Sequence, residues 1–248
     1  MIPGAEPFSA DGGPVGVLVL HGFTGNPSSV RGLAEAFAAA GHTVELPRLP
    51  GHGTLIEDML GTGWSDWSAA AEDVYEDLAG RCERVVVAGL SMGGSLTCWL
   101  GTRHPGIAGL ICINPAIAPT EEMRAAVAAL VEAGEEVMPG IGSDIAMPGV
   151  VETAYSDTPL APLLTLFEAS TVVGAELGRI TAPLLLFTSP EDHVVPASDS
   201  DVLAAAVSGP VERVSCERSY HVATMDHDAA MIEERSVEFV GRVAVAAS

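Results

Sequence analysis

Six short apolar, β-branched runs recur along the chain with helical patterns between several of them, and this alternation restricts the fold more than any other feature. The runs are Val15–Leu20, His42–Pro47, Arg84–Leu90, Ile107–Asn114, Ala182–Ser189 and Val211–Glu217. Most are apolar throughout rather than at every second position, as strands covered on both faces must be. Helical patterns occupy Val30–Ala40, Trp67–Leu78, Met92–Thr102, Ser198–Ala206 and Ala229–Ala244. Strand–helix alternation predicts an α/β fold with a mostly parallel, doubly wound sheet, its right-handed crossovers placing helices on both faces. With 248 residues, 48% of them apolar, the chain can bury one sizeable core.

One stretch breaks the rhythm. From Pro115 to Gly178 no convincing strand is legible; the sequence offers a helical stretch (Thr120–Gly134), a Pro/Gly-rich middle (Pro139–Pro148) and a second helical stretch (Ala161–Leu177). A non-sheet insertion between two core strands reads as a cap. The expected division is therefore a core of residues 1–114 and 180–248 and a small helical cap over residues 115–179. The Pro/Gly-rich middle suggests a flexible lid, and Ile145, Met147, Leu164 and Phe167 are its candidate substrate-contacting side chains.

The charge excludes some partners. Against 33 acidic residues stand 11 basic ones, all arginine, for a formal net charge of −22. Such a surface repels nucleic acid and anionic lipid. The four cysteines, Cys82, Cys98, Cys112 and Cys216, form no C-x-x-C and read as free thiols of a reducing compartment. The N-terminus lacks the basic and apolar regions of a signal peptide. No apolar run reaches the ~18–20 residues of a membrane span. The expectation is a cytoplasmic monomer or homodimer without stable membrane insertion.

Gly89-Leu90-Ser91-Met92-Gly93 is a G-x-S-x-G sequence directly after the apolar run Arg84–Leu90 and directly before a helical pattern. A serine on so sharp a strand-to-helix turn takes a strained backbone conformation. The residues two before and two after approach closely, so neither can carry a Cβ. The helix N-terminus behind the serine aims free N–H groups at developing negative charge. Ser91 is thus the candidate nucleophile. A tetrahedral intermediate needs two N–H donors for its oxyanion. Met92, after the nucleophile, supplies one, and Phe23 in His21-Gly22-Phe23, after the first strand run, supplies the other. His21 itself is expected to hold that loop.

The acid and base should follow later strands. The loop after Ala182–Ser189 reads Pro190-Glu191-Asp192-His193, with Asp192 preferred and Glu191 its rival. After Val211–Glu217 comes Arg218-Ser219-Tyr220-His221-Val222, and His221 is the candidate base. The chain order Ser, Asp, His is that of the α/β-hydrolase triad. His227, within Asp226-His227-Asp228, reads as a polar helix start. No metal-ligand spacing or phosphate-binding glycine loop is present, so neither metal nor other cofactor is indicated.

These segments, together with Thr24-Gly25-Asn26, Pro50-Gly51-His52-Gly53 and Gly94, resemble the small bacterial carboxylesterases and monoacylglycerol lipases of the α/β-hydrolase superfamily. The resemblance spans nearly the whole chain. It implies cofactor-independent hydrolysis of small-molecule carboxylic esters with short to medium acyl chains, monoacylglycerols included. The elbow is common to the superfamily; the HGFTGN loop with a short cap is more specific. Tyr220 stands where that family usually has glycine, which predicts a narrower pocket or an altered histidine loop. A thioesterase, another acyl-transfer hydrolase, or a slow-turnover ligand-binding or signalling protein would carry the same triad. The first is weakened by the absence of an arginine cluster for a coenzyme-A phosphate.

Overall fold

In the computed structural model, which describes residues 1–245, the chain opens with β1 (Phe8–Ala10), β2 (Val15–Leu20), α1 (Arg31–Ala39), β3 (Thr43–Leu46), α2 (Ile56–Leu60), α3 (Trp64–Arg81), β4 (Arg84–Leu90), α4 (Met92–Arg103) and β5 (Gly109–Ile113). There follow α5 (Glu121–Glu132), β6 (Val137–Pro139), β7 (Asp157–Pro159) and α6 (Leu160–Glu176). The chain then returns to the sheet with β8 (Leu184–Thr188), α7 (Ser198–Ala206), β9 (Val211–Ser215) and α8 (Ala229–Val245).

Seven strands pair in the order β1-β3-β2-β4-β5-β8-β9, all parallel except β1, which runs antiparallel to β3. Alternate side chains of each central strand enter different cores, which explains the continuously apolar runs. Leu18 and Leu20, Val85 and Val87, Leu110 and Cys112, and Leu184 and Leu186 pack with α3, α4 and α6. Val17 and Val19, Val86 and Ala88, Ile111 and Ile113, and Leu185 and Phe187 pack with α1 and α8. From β2 the chain winds first to β3 on one side, then to β4 and β5 on the other. The switch point therefore lies between β2 and β4, where Leu20 pairs with Gly89, and a crevice opens outside their carboxyl ends.

Several elements differ from expectation. β1 and α2, of three and five residues, are too short to show a period. The insertion does contain strands: β6 and β7 form an antiparallel pair, Met138 opposite Thr158. Each has only three residues and ends in proline, and their partnership spans an irregular stretch, so no local pattern announces them. By length and composition alone Leu160–Arg179 would also pass for a membrane-crossing helix, with a mean hydropathy of 1.4 over an 18-residue window that contains Glu168 and Glu176. Here Leu160, Leu163, Leu166, Val173 and Leu177 of that stretch are packed into the core beneath the cap.

Candidate active site

The elbow has the geometry its sequence demands. Ser91 sits at φ 57°, ψ −117° between β4 and α4. A Cβ on Gly89 would lie 2.1 Å from the Gly93 carbonyl oxygen, and one on Gly93 would lie 2.1 Å from that of Leu20. Met92 is the first residue of α4, so its N–H has no acceptor within the helix. Across the crevice, Phe23 packs edge-on against Trp67, with ring centroids 5.7 Å apart. The loop carrying Phe23 is held by His21, whose Nε2 accepts the Leu49 N–H (3.1 Å) and whose Nδ1–H donates to the Gly22 carbonyl (3.0 Å). Burial, with smaller help from His52, lowers the His21 pKa to about 3. It is a fixed neutral ring in a structural place.

Asp192 and His221 meet across loops 29 residues apart, with Nδ1 of His221 2.7 Å from Oδ2 of Asp192. The other carboxylate oxygen of Asp192 accepts the N–H groups of Val194 and Val195, both at 2.8 Å, which orients it. The Asp192 side chain is 1% exposed. Glu191, its rival, is exposed, as is His227.

Four residues that sequence reasoning did not select hold this pair. Asn114, at the end of β5 with φ 44°, donates from Nδ2 to the His221 carbonyl (2.8 Å) and accepts the Ser189 N–H (2.8 Å). Asp144 accepts the His221 N–H (3.0 Å). Asp226 accepts the N–H groups of Tyr220, His227, Ala146 and Met147. Burial pushes the Asp226 carboxyl up, but those four donors together outweigh it and hold the group below the ordinary carboxylate range. Asp228 binds the Arg218 N–H and Ser219 Oγ. Only Asp226 and Asp228 had a signal, the acidic run beside His227; the other two act through contacts distant in sequence.

Ser91 and His221 share a cavity of about 220 Å³. Its apolar lining includes Met123, Met138, Leu163, Leu166, Phe167 and Val195. Its polar lining includes Thr24, Tyr155 and Glu152. The Glu152 carboxylate accepts the Ser29 hydroxyl, and burial raises its pKa despite that bond and the nearby His221. Of the four cap residues selected from sequence, Phe167 lines the cavity and the others do not. Ile145 packs against the layer of α1 and α8, and Leu164 against the layer of α3 and α4. Met147 is drawn to Asp226 by its backbone N–H. Tyr220 does not narrow the cavity either; its ring stands edge-on to His193, 4.6 Å between centroids.

The sequence model of the Alpha/beta hydrolase family matches residues 17–234. The chain belongs to that family. Among α/β hydrolases it is 48% identical to a thermostable monoacylglycerol lipase of Bacillus sp. (strain H-257), over 98% of this chain and 96% of that one. It is 28% identical to a carboxylesterase of Bacillus subtilis (strain 168), over 96% of this chain and 97% of the relative. A solved structure from work on two metagenome-derived lipolytic enzymes, LipS and LipT, superposes with a TM-score of 0.94 at 42% identity, covering 98% of this chain and 99% of that one.

Proposed function

We propose that this α/β hydrolase cleaves carboxylic esters of short to medium acyl chains, monoacylglycerols among them, through an acyl-enzyme on Ser91. The observation that carries the reading is a strained elbow serine opening onto the same apolar cavity as His221, with His221 held 2.7 Å from Asp192.

In this mechanism His221 takes the Ser91 proton as the serine oxygen attacks the ester carbonyl. The oxyanion is received by the N–H groups of Phe23 and Met92. His221 then protonates the departing alcohol, and water repeats the sequence on the acyl-enzyme. Asp192 keeps the proton of neutral His221 on Nδ1 and stabilises the imidazolium. The acyl chain lies along Leu163, Leu166 and Phe167, while Thr24 and Glu152 offer oxygen acceptors to the hydroxyls of a polyol leaving group. The two named relatives support the same substrate class. We further place the protein in the cytoplasm as a monomer or homodimer, where Cys98 and Cys112, 3.8 Å apart and unbridged, remain thiols.

The test is Ser91→Ala with a graded ester panel and a fluorophosphonate probe. The variant should fold as the parent does and lose about 10⁵–10⁶ in kcat. The probe should label Ser91 alone. Label on a different peptide, or turnover retained by Ser91→Ala, would end this reading.

A further inference from the structure

Asp144 lies in the irregular stretch between β6 and β7, far in sequence from every residue of the proposed triad. Its carboxylate nevertheless joins the two loops that carry the acid and the base. Oδ2 accepts the backbone N–H of His221 (3.0 Å) and that of His193 (3.1 Å), the residue after Asp192. Oδ1 lies 2.8 Å from His193 Nδ1, and the Asp144 carbonyl accepts the Val222 N–H at 3.1 Å. The Asp144 side chain is 10% exposed and lines the cavity.

The His221–Asp192 hydrogen bond is only as constant as the spacing of the two loops. From the sheet side Asn114 ties them, donating to the carbonyl of His221 and to Ser189 Oγ (3.0 Å) while accepting the Ser189 N–H. From the cavity side Asp144 ties the same loops through their N–H groups. His221 is thus gripped at its N–H by the insertion and at its carbonyl by the sheet. A carboxylate bonded to backbone N–H groups makes charge-assisted bonds, stronger than neutral ones. Without it, the amides of His221 and His193 lose their acceptor beside a cavity.

We propose that Asp144 is a positioning residue of the active site. Its one carboxylate sets the distance between the Asp192 loop and the His221 backbone, so the acid–base pair is in register only while the Asp144 segment is docked. The proposal rests on the reading of Ser91, Asp192 and His221 given above. It changes what the cap can do. The segment is also pinned by Asp226 through the N–H groups of Ala146 and Met147, so it works as part of the catalytic frame rather than as a swinging lid. The part of the wall these bonds leave free is Ile141 and Gly142, where Ile141 is 65% exposed and a Cβ on Gly142 would meet nothing within 4 Å.

Three substitutions test this: Asp144→Ala, Asp144→Asn and Asp144→Glu. Each is assayed for kcat and KM with p-nitrophenyl butyrate, for melting temperature, and for the low-field proton NMR signal of the His221 imidazole N–H bonded to Asp192. A misplacement of about 1 Å at a catalytic group costs about 10²-fold. Asp144→Ala should therefore lower kcat about 10²-fold with KM within about threefold, and should weaken or abolish the low-field signal. Asp144→Asn retains an oxygen for the two N–H groups and should stay within about fivefold of the parent with the signal present. Asp144→Glu keeps the charge but moves the oxygens by a methylene; it should lose about tenfold in kcat at nearly unchanged melting temperature. If Asp144→Ala fails to fold, the contrast between Asn and Glu decides. Parental kcat and signal in both the Ala and Glu variants would overturn the proposal, as would equal losses in Asn and Glu that merely follow melting temperature. Turnover surviving in Ser91→Ala would instead overturn the triad, a result separable from all of these.

Discussion

The elbow and the cap face each other across one cavity and are built on opposite principles. At the elbow, backbone meets backbone: Gly89, Gly93 and Leu20 approach so closely that a single Cβ on either glycine would lie 2.1 Å from a carbonyl oxygen. Around it Leu90, Met92 and Leu96 are at most 1% exposed. The cap instead leaves Met123, Leu130, Val137, Ile141, Val151 and Val172 exposed. Along its irregular stretch it is laced to the core by polar bonds. Asp144 and the Ala146–Met147 amides reach the histidine loop. Tyr155 donates its N–H to the Thr24 carbonyl, and Asn26 donates to that of Thr153. Close packing holds Ser91, the proposed nucleophile, with no tolerance for change, whereas directed hydrogen bonds hold the irregular stretch of the cavity wall and leave its surface open to variation.

Glycine substitutions test that contrast most sharply. Gly93→Ala forces a backbone clash and should cost about 3 kcal/mol of stability, with activity falling by at least about 10²-fold. Gly142→Ala in the cap has φ +80° but nothing within 4 Å of the new Cβ, so only the backbone strain remains, about 1 kcal/mol. Urea midpoints for the two variants check this, and equal losses would erase the distinction between packed elbow and open cap.

Acid should strike the core before it strikes the cap. Burial depresses His21 to about 3 and His52 to about 4, so the folded state refuses protons that the unfolded chain takes up below about pH 6.5. Their contribution is complete above that value and is lost as pH falls toward the folded values. Together it amounts to at most about 4 kcal/mol between pH 6.5 and 5, at about 1.4 kcal/mol per group and pH unit. Asp226 acts in the same direction at lower pH, because its folded value lies below the ordinary one. Glu152 and Asp199, both raised by burial, oppose the trend in the carboxylate range. Urea unfolding at pH 7 and pH 5 should show the loss, and His21→Asn should flatten it while lowering stability at pH 7. A parental slope retained in that variant would count against buried neutral His21.

The smallest expected effect is in the cavity wall. Phe167→Ala should change the ratio of kcat/KM between octanoate and butyrate esters by about tenfold, while acetate turnover moves little. An equal change at all chain lengths would make Phe167 a support of the fold and the apolar lining no acyl channel.

Much of the core could be read without the structure, because its signals are local. A central strand buried on both faces must be apolar at every position, and a serine at φ 57° needs glycine two residues to either side. Such requirements are written in consecutive residues, and so Ser91, His21 and the six sheet strands of the reading could be placed. Asp192 could be preferred over Glu191 only by its position after a strand; its burial and the two N–H groups it accepts came from the folded loop. The cap shows the reverse. Ile145, Met147 and Leu164 have the right chemistry for a cavity wall, but helix orientation and the bonds to Asp226 turn them elsewhere. β6 and β7 exist because two three-residue segments meet across an irregular stretch. By itself the sequence determined the sheet and the strained elbow, since each follows from backbone geometry within a few residues. Only the tertiary structure decided which cap side chains face the cavity and that Asn114 and Asp144 grip His221 from opposite sides, because those contacts join residues 107 and 77 positions apart and no local preference encodes such a meeting.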